Sequence, residues 1–105
     1  MSKSGTIYLI TENGDCDIYK IGVTRGTVEN RLKKLQTGNA NQLVCVNSFY
    51  SSNPYKLEKM LHSYFGNDRM EGEWFLLSNA QVSQFTQICE KYEHIIESLK
   101  NNPFF

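Results

Sequence analysis

No run in these 105 residues approaches the length of apolar chain that spans a bilayer, and no two cysteines lie close enough for the CxxC pair of a structural zinc site. The first absence argues against a helical membrane protein. The second, with Cys16, Cys45 and Cys89 spread far apart and odd in number, favours free thiols in a reducing cytosol. A metal site mixing these cysteines with His62 or His94 is the alternative that remains. Met1 to Gly5 is polar, and the apolar stretch after it is broken by Thr11 and Glu12, so no secretory signal is expected. Repeats, linkers and low-complexity runs are also missing. At 12.1 kDa the chain is expected to be a single domain over residues 1–105 with one core.

A surplus of charge is missing as well, since 11 basic residues balance 11 acidic ones. The balance is global rather than local. From Lys20 to Arg69, Lys20, Arg25, Arg31, Lys33, Lys34, Lys56, Lys59 and Arg69 face only Glu29, Glu58 and Asp68, while the chain from Met70 onward is acidic. A basic middle suits phosphate, and Arg25, Lys33, Lys34, Lys59 and Arg69 are its candidate nucleic-acid contacts. The plainer reading is the solvated face of a neutral protein.

Hydrophobic pattern divides the chain into elements. Thr6–Thr11 and Ile18–Thr24 are rich in β-branched and aromatic residues and flank an Asn13-Gly14 turn signal, which predicts a hairpin. Alternation puts Tyr8 on one face of its strand and Lys20 on one face of the partner, so the two are placed to meet. Thr27 is a cap for a helix over about Val28 to Thr37, stopped by Gly38. Arg31 lies inside its apolar stripe of Val28, Leu32 and Leu35, so it either snorkels to the edge or meets an anion. Leu43–Tyr50 predicts a third strand, and Asn53-Pro54 reads as an N-cap and first residue of a helix to Phe65. Glu58 adjoins that helix's core stripe, with His62 one turn on. Glu73–Leu77 is a short strand or extended segment, and one long helix is predicted over about 79–100, followed by a tail whose Phe104 and Phe105 can dock. The fold class is therefore α/β of the α+β kind, a three-stranded antiparallel sheet flanked by helices.

The order of hairpin, arginine-bearing helix, strand and glutamate-bearing helix resembles the GIY-YIG endonuclease superfamily. Thr6-Ile7-Tyr8 looks like its GIY element, Lys20-Ile21-Gly22 falls where YIG belongs, and Arg31 and Glu58 match its arginine and metal-binding glutamate. YKIGVT, RLKKLQTGN, LEKMLHSYF and GEWFLL are similar to a short branch found in phage proteins and meiotically up-regulated nuclease-like proteins, over roughly residues 5–77. The second tyrosine of the motif is replaced by Lys20, with Tyr19 shifted one place, and Leu35 stands in the region where several members carry a histidine.

The resemblance implies a metal-dependent DNA endonuclease in the cytoplasm of a bacterial or phage-infected cell. Glu58 would hold one Mg²⁺ or Mn²⁺, Arg31 the phosphate oxygens, and Tyr8 the attacking water. A phenol with a pKa of about 10 is a poor base near neutrality, and Lys20 is expected to favour its phenolate. His62 would relay a proton or orient the metal's waters. So small a chain is open to a homodimer or larger assembly for gripping a duplex. Without the motif order, Tyr8 and Lys20 are ordinary strand residues, Glu58 a lysine's partner, and His62 a packing residue. Glu73-Trp74-Phe75 reads first as packing, with Glu73 also able to order the site, and Cys45 as a buried strand thiol. The alternative function is a nucleic-acid-binding or protein-interaction module on the same fold that has lost efficient cleavage, and a third is a structural oligomer.

Overall fold

A computed structural model describes residues 4–12 and 17–100. The Asn13-Gly14 turn, Cys16 and the tail from 101 lie outside the described residues. The hairpin forms as the alternation predicts, with β1 (Gly5–Glu12) antiparallel to β2 (Ile18–Thr24). Helix α1 (Val28–Gln36) follows, and the Thr27 hydroxyl accepts the Asn30 amide at 3.1 Å, satisfying one of the donors a helix start leaves unpaired. Strand β3 (Leu43–Ser51) pairs with the other side of β1, and a bulge makes Leu9 face Asn47 while Ile10 faces Cys45.

Helix α2 (Pro54–Tyr64) starts at the proline, whose missing amide costs nothing at the first position. Asn53 does not cap it. The amide of Asn53 instead donates to Glu97 at 3.0 Å and Glu93 at 3.4 Å. Glu93 also accepts the Ser51 hydroxyl at 2.6 Å and the Ser52 amide at 2.9 Å, so the loop between β3 and α2 is clamped by the C-terminal helix.

Three strands were expected, and among the described residues there are five. A short 3-10 turn, Gly66–Asp68, leads into β4 (Arg69–Glu71), which turns through Gly72 (φ 57°) into β5 (Trp74–Leu76). The sheet order is β3-β1-β2-β5-β4, every neighbour antiparallel. Strands of three residues carry too little alternation to be read from a pattern. The long terminal helix is also divided, into α3 (Asn79–Ser83) and α4 (Phe85–Leu99), with Gln84 at φ −91°, ψ −2° between them. Val82, Phe85 and Ile88 keep helical spacing across the break, so the periodicity passes over it.

The sheet separates two apolar layers. Ile7, Leu9 and Ile21 face α2 and α4, where Leu57, Leu61, Phe85 and Ile96 are wholly buried. Tyr8, Ile10 and Leu43 face α1 and its Val28, Leu32 and Leu35. Each large side chain fully removed from water contributes about 1.5–3 kcal/mol, so the first layer dominates stability.

Cys45 is half-buried and Cys89 wholly buried, both free thiols. Burial, then the charges of Glu90 and Glu93, push the Cys89 thiol up to about 12. Near pH 8 almost none of it is thiolate, the reactive form, so iodoacetamide should leave Cys89 unmodified in the native protein and alkylate it in denaturant. Peptide mass spectrometry reads the difference, and rapid native labelling would contradict this placement.

Candidate active site

Cross-strand register decides what Tyr8 meets. Tyr8 lies directly opposite Gly22, and Lys20 opposite Ile10. The wholly buried Tyr8 ring occupies the space above Gly22, where a Cβ would come within 2.8 Å of Cε1 and nearer still to Cζ and the hydroxyl. This glycine therefore makes room for the phenol. From the α1 side, the Arg31 Nε–H donates to the Tyr8 hydroxyl at 3.4 Å. That hydrogen bond, then Tyr8's charge when ionised, raise the arginine's pKa further above neutrality. Arg31 is half-buried rather than fully enclosed, so its guanidinium keeps access to solvent.

Lys20 lies diagonal to Tyr8 rather than opposite it. Its Nζ lies 3.2 Å from a carboxylate oxygen of Glu73 and 5.6 Å from the Trp74 ring centroid. The reason is the pairing of β2 with β5, which sets Lys20 opposite Trp74. Glu73 is tied to the same strand, since its carbonyl accepts the Ile21 amide at 3.0 Å.

Glu58 and His62 arrive from α2. His62 Nε2 lies 2.9 Å from the Ile21 carbonyl, which only accepts, so Nε2 carries the proton and donates. The imidazole also packs on Phe75, centroids 5.1 Å apart. These contacts pin α2 to β2 and commit the nitrogen that lies 4.0 Å from Glu58 Oε2. That Oε2 is buried and has no hydrogen-bond partner. Burial first, and then the Glu73 charge, push the Glu58 carboxyl up, opposed by His62 and Lys20.

Glu73 is thus the group felt from both sides, by Arg31 above the sheet and by Glu58 below it. The two sides meet because β5 covers β2 only from Ile18 to Lys20. Just beyond Lys20, the Ile21 amide and carbonyl are taken by the Glu73 carbonyl and His62 instead of by a continuing strand. Tyr8 with Arg31, Lys20 with Glu73, and Glu58 with His62 are the contacts of the site, and Glu73 is the charge common to its two sides. Glu73 was given first to packing in the sequence. The signal available was an acidic residue right after a turn glycine and before an apolar run.

The other predicted contacts are dispersed. Arg25 is exposed in the bend after β2, Lys33 and Lys34 on α1, and Lys59 on α2, across the sheet from them. Arg69 is exposed on β4, and its Nε donates to the Gly72 carbonyl at 2.6 Å. No group of three or more His, Cys, Asp or Glu side chains suited to a metal forms among the described residues, so the mixed cysteine and histidine site is not found there. No helix among them is long and apolar enough to cross a membrane. A hollow of about 340 Å³ lined by Asp17, Asp68 and Ser78 contains none of the six residues.

Comparison with known proteins gives a family model, described as the T5orf172 domain, that matches residues 5–90. Nothing among curated proteins or solved structures matches the chain.

Proposed function

The chain belongs to the T5orf172 domain family, a domain found in nucleases of phages and mobile elements, and from that premise we propose that it is a metal-dependent DNA endonuclease of the GIY-YIG type. The observation that carries this reading is the buried Glu58 carboxylate oxygen that has no hydrogen-bond partner, in a chain that also sets the Arg31 guanidinium against the Tyr8 phenol. A hard divalent cation fits that oxygen, because carboxylate and water oxygens are the ligands such ions prefer. Glu58 would hold one Mg²⁺ or Mn²⁺, with water and phosphate filling the remaining positions, as a site with few protein carboxylates requires. When bound, the ion supplies a Lewis acid for the charge on the leaving oxygen.

The chain's own groups do the rest. Arg31 spends Nε on Tyr8 and keeps its two terminal nitrogens for non-bridging phosphate oxygens. Tyr8 takes the proton of the attacking water, whose oxygen forms the new bond to phosphorus as the bond to the 3′ oxygen breaks. Arg31, not Lys20, is the cation hydrogen-bonded to that phenol. Lys20 acts on Glu73, holding that carboxylate away from Glu58. His62 sets the position of α2 and so of Glu58.

The test is incubation of purified protein with single-stranded, duplex and branched DNA in Mg²⁺, Mn²⁺ or EDTA. Cleavage that needs the metal and disappears with Arg31→Ala supports the reading. DNA binding without cleavage under every condition would replace it with the binding module. Within the nuclease reading, Lys20→Met frees Glu73 beside Glu58. It should slow single-turnover cleavage by about fivefold, the upper value of one partly exposed ion pair, while DNA binding in EDTA changes by less than about twofold. Unchanged cleavage would return Lys20 to the role of a strand lysine.

A further inference from the structure

The face of the sheet that carries Tyr8 is only partly covered. Val28, Leu32 and Leu35 of α1, with Cys45 and Trp74, pack against Tyr8, Ile10 and Leu43, toward one end. At the other end, Thr6 lies opposite both Thr24 and Tyr50, and Tyr8 opposite Ser48. Residues directly opposite one another in antiparallel strands share a face, as do residues two apart. Thr6, Thr24, Ser48 and Tyr50 therefore form one patch that borders the buried Tyr8. All four carry hydroxyls and none carries charge. Ser48 is exposed, and Tyr50 is 68% exposed despite its aromatic ring.

We propose that this hydroxyl-bearing face binds an unpaired stretch of the DNA strand beside the cleaved phosphate, with one base stacked on Tyr50. The inference rests on the nuclease reading and extends it to the form of the substrate. Tyr50 is the diagonal neighbour of Tyr8, about 7–8 Å away, close to one nucleotide along a strand. Arg31 at the Tyr8 end and the exposed Arg25, next after Thr24, supply positive charge at the two ends of the patch. Phosphates can be held at those ends while the hydroxyls between them bond to sugar and phosphate oxygens. An exposed tyrosine on a sheet offers its ring to a base only when that base is unstacked. A duplex keeps its base faces hidden, so the patch favours a single strand.

Fluorescence anisotropy in EDTA, with fluorescein-labelled oligothymidylate and a duplex of equal length, tests this on the wild type, Tyr50→Ala and Tyr50→Phe. Because the side chain is exposed, neither substitution threatens folding. Tyr50→Ala should weaken the single-strand complex by about tenfold, while Tyr50→Phe and all duplex complexes stay within about twofold. Equal loss on duplex and single strand, or no loss at all, would overturn the proposal. So would sedimentation showing that Tyr50→Ala dissociates a dimer, since β3 is a sheet edge that a second copy could cover. Metal-dependent cleavage by the wild type is measured in parallel. If cleavage occurs and Tyr50→Ala binds normally, the surface fails and the nuclease stands. If Tyr50-dependent binding occurs without cleavage, the nuclease reading fails and the proposal as stated falls with it.

Discussion

Glu58→Gln is expected to abolish cleavage and, in the absence of metal, to make the protein more stable. Loss of a ligand to an ion that contributes several kcal/mol to the transition state corresponds to a fall on the order of 10³-fold in rate. The stability change has the opposite sign because Glu58 Oε2 is buried without a partner and the surroundings push the carboxyl up. A carboxyl whose folded pKa is raised contributes stability that is full below its unfolded pKa and lost as pH rises through the folded pKa. The wild type should therefore lose stability through that upshifted window, whereas the glutamine variant has no such loss. At neutral pH the relief is about 1 kcal/mol, or several degrees in Tm for a domain of this size. In acid the two proteins should converge. Melting followed by circular dichroism across pH checks this, and added Mn²⁺ should raise the Tm of the wild type alone. A variant that cleaves like the wild type would remove Glu58 from the metal site, and a variant melting lower at every pH would show that its carboxylate is well paired.

Gly22→Ala should be almost as damaging to cleavage, although it adds only a methyl group. The added Cβ would occupy the space of the Tyr8 ring, so the ring must move, and its hydroxyl leaves the reach of Arg31. Displacing a reacting group by about 1 Å costs on the order of 10²-fold in rate. Overpacking this buried position should also lower stability by about 1–3 kcal/mol. A double-mutant cycle isolates the cause. In a Tyr8→Ala background, Gly22→Ala should cost almost no stability, because the clash has gone. If its cost persists there, the glycine matters for its own backbone rather than for the phenol.

The helices were the most legible part of the sequence. Thr27 and Pro54 mark the starts of α1 and α2 chemically, and their apolar stripes face the two layers of the sheet. The first hairpin was legible from alternation, but alternation gives a face without giving a register. Lys20 was therefore assigned to the face of Tyr8, while its ion pair with Glu73 was out of reach, since that depends on β5, more than fifty residues downstream. The same distance hid the position of Glu73. Spacing along α2 put His62 beside Glu58, but the bond from its ring to the Ile21 carbonyl is tertiary and has no local signature. Asn53 shows a preference overruled, because two carboxylates of α4 hold its Nδ2 and so orient the side chain whose oxygen would have capped the helix. The motif order pointed to a nuclease-like domain, and the T5orf172 match covers the four residues that carried it, while the GIY-YIG type itself rests on the proposed function.

That match also stops at residue 90, three short of Glu93. The carboxylate that fastens the β3–α2 loop, and Ile96 in the main layer, are therefore outside the shared pattern. A boundary drawn where the family ends would open the interior and release the support beneath the Glu58 helix. The recognisable unit and the unit that can be excised intact are consequently different lengths of chain.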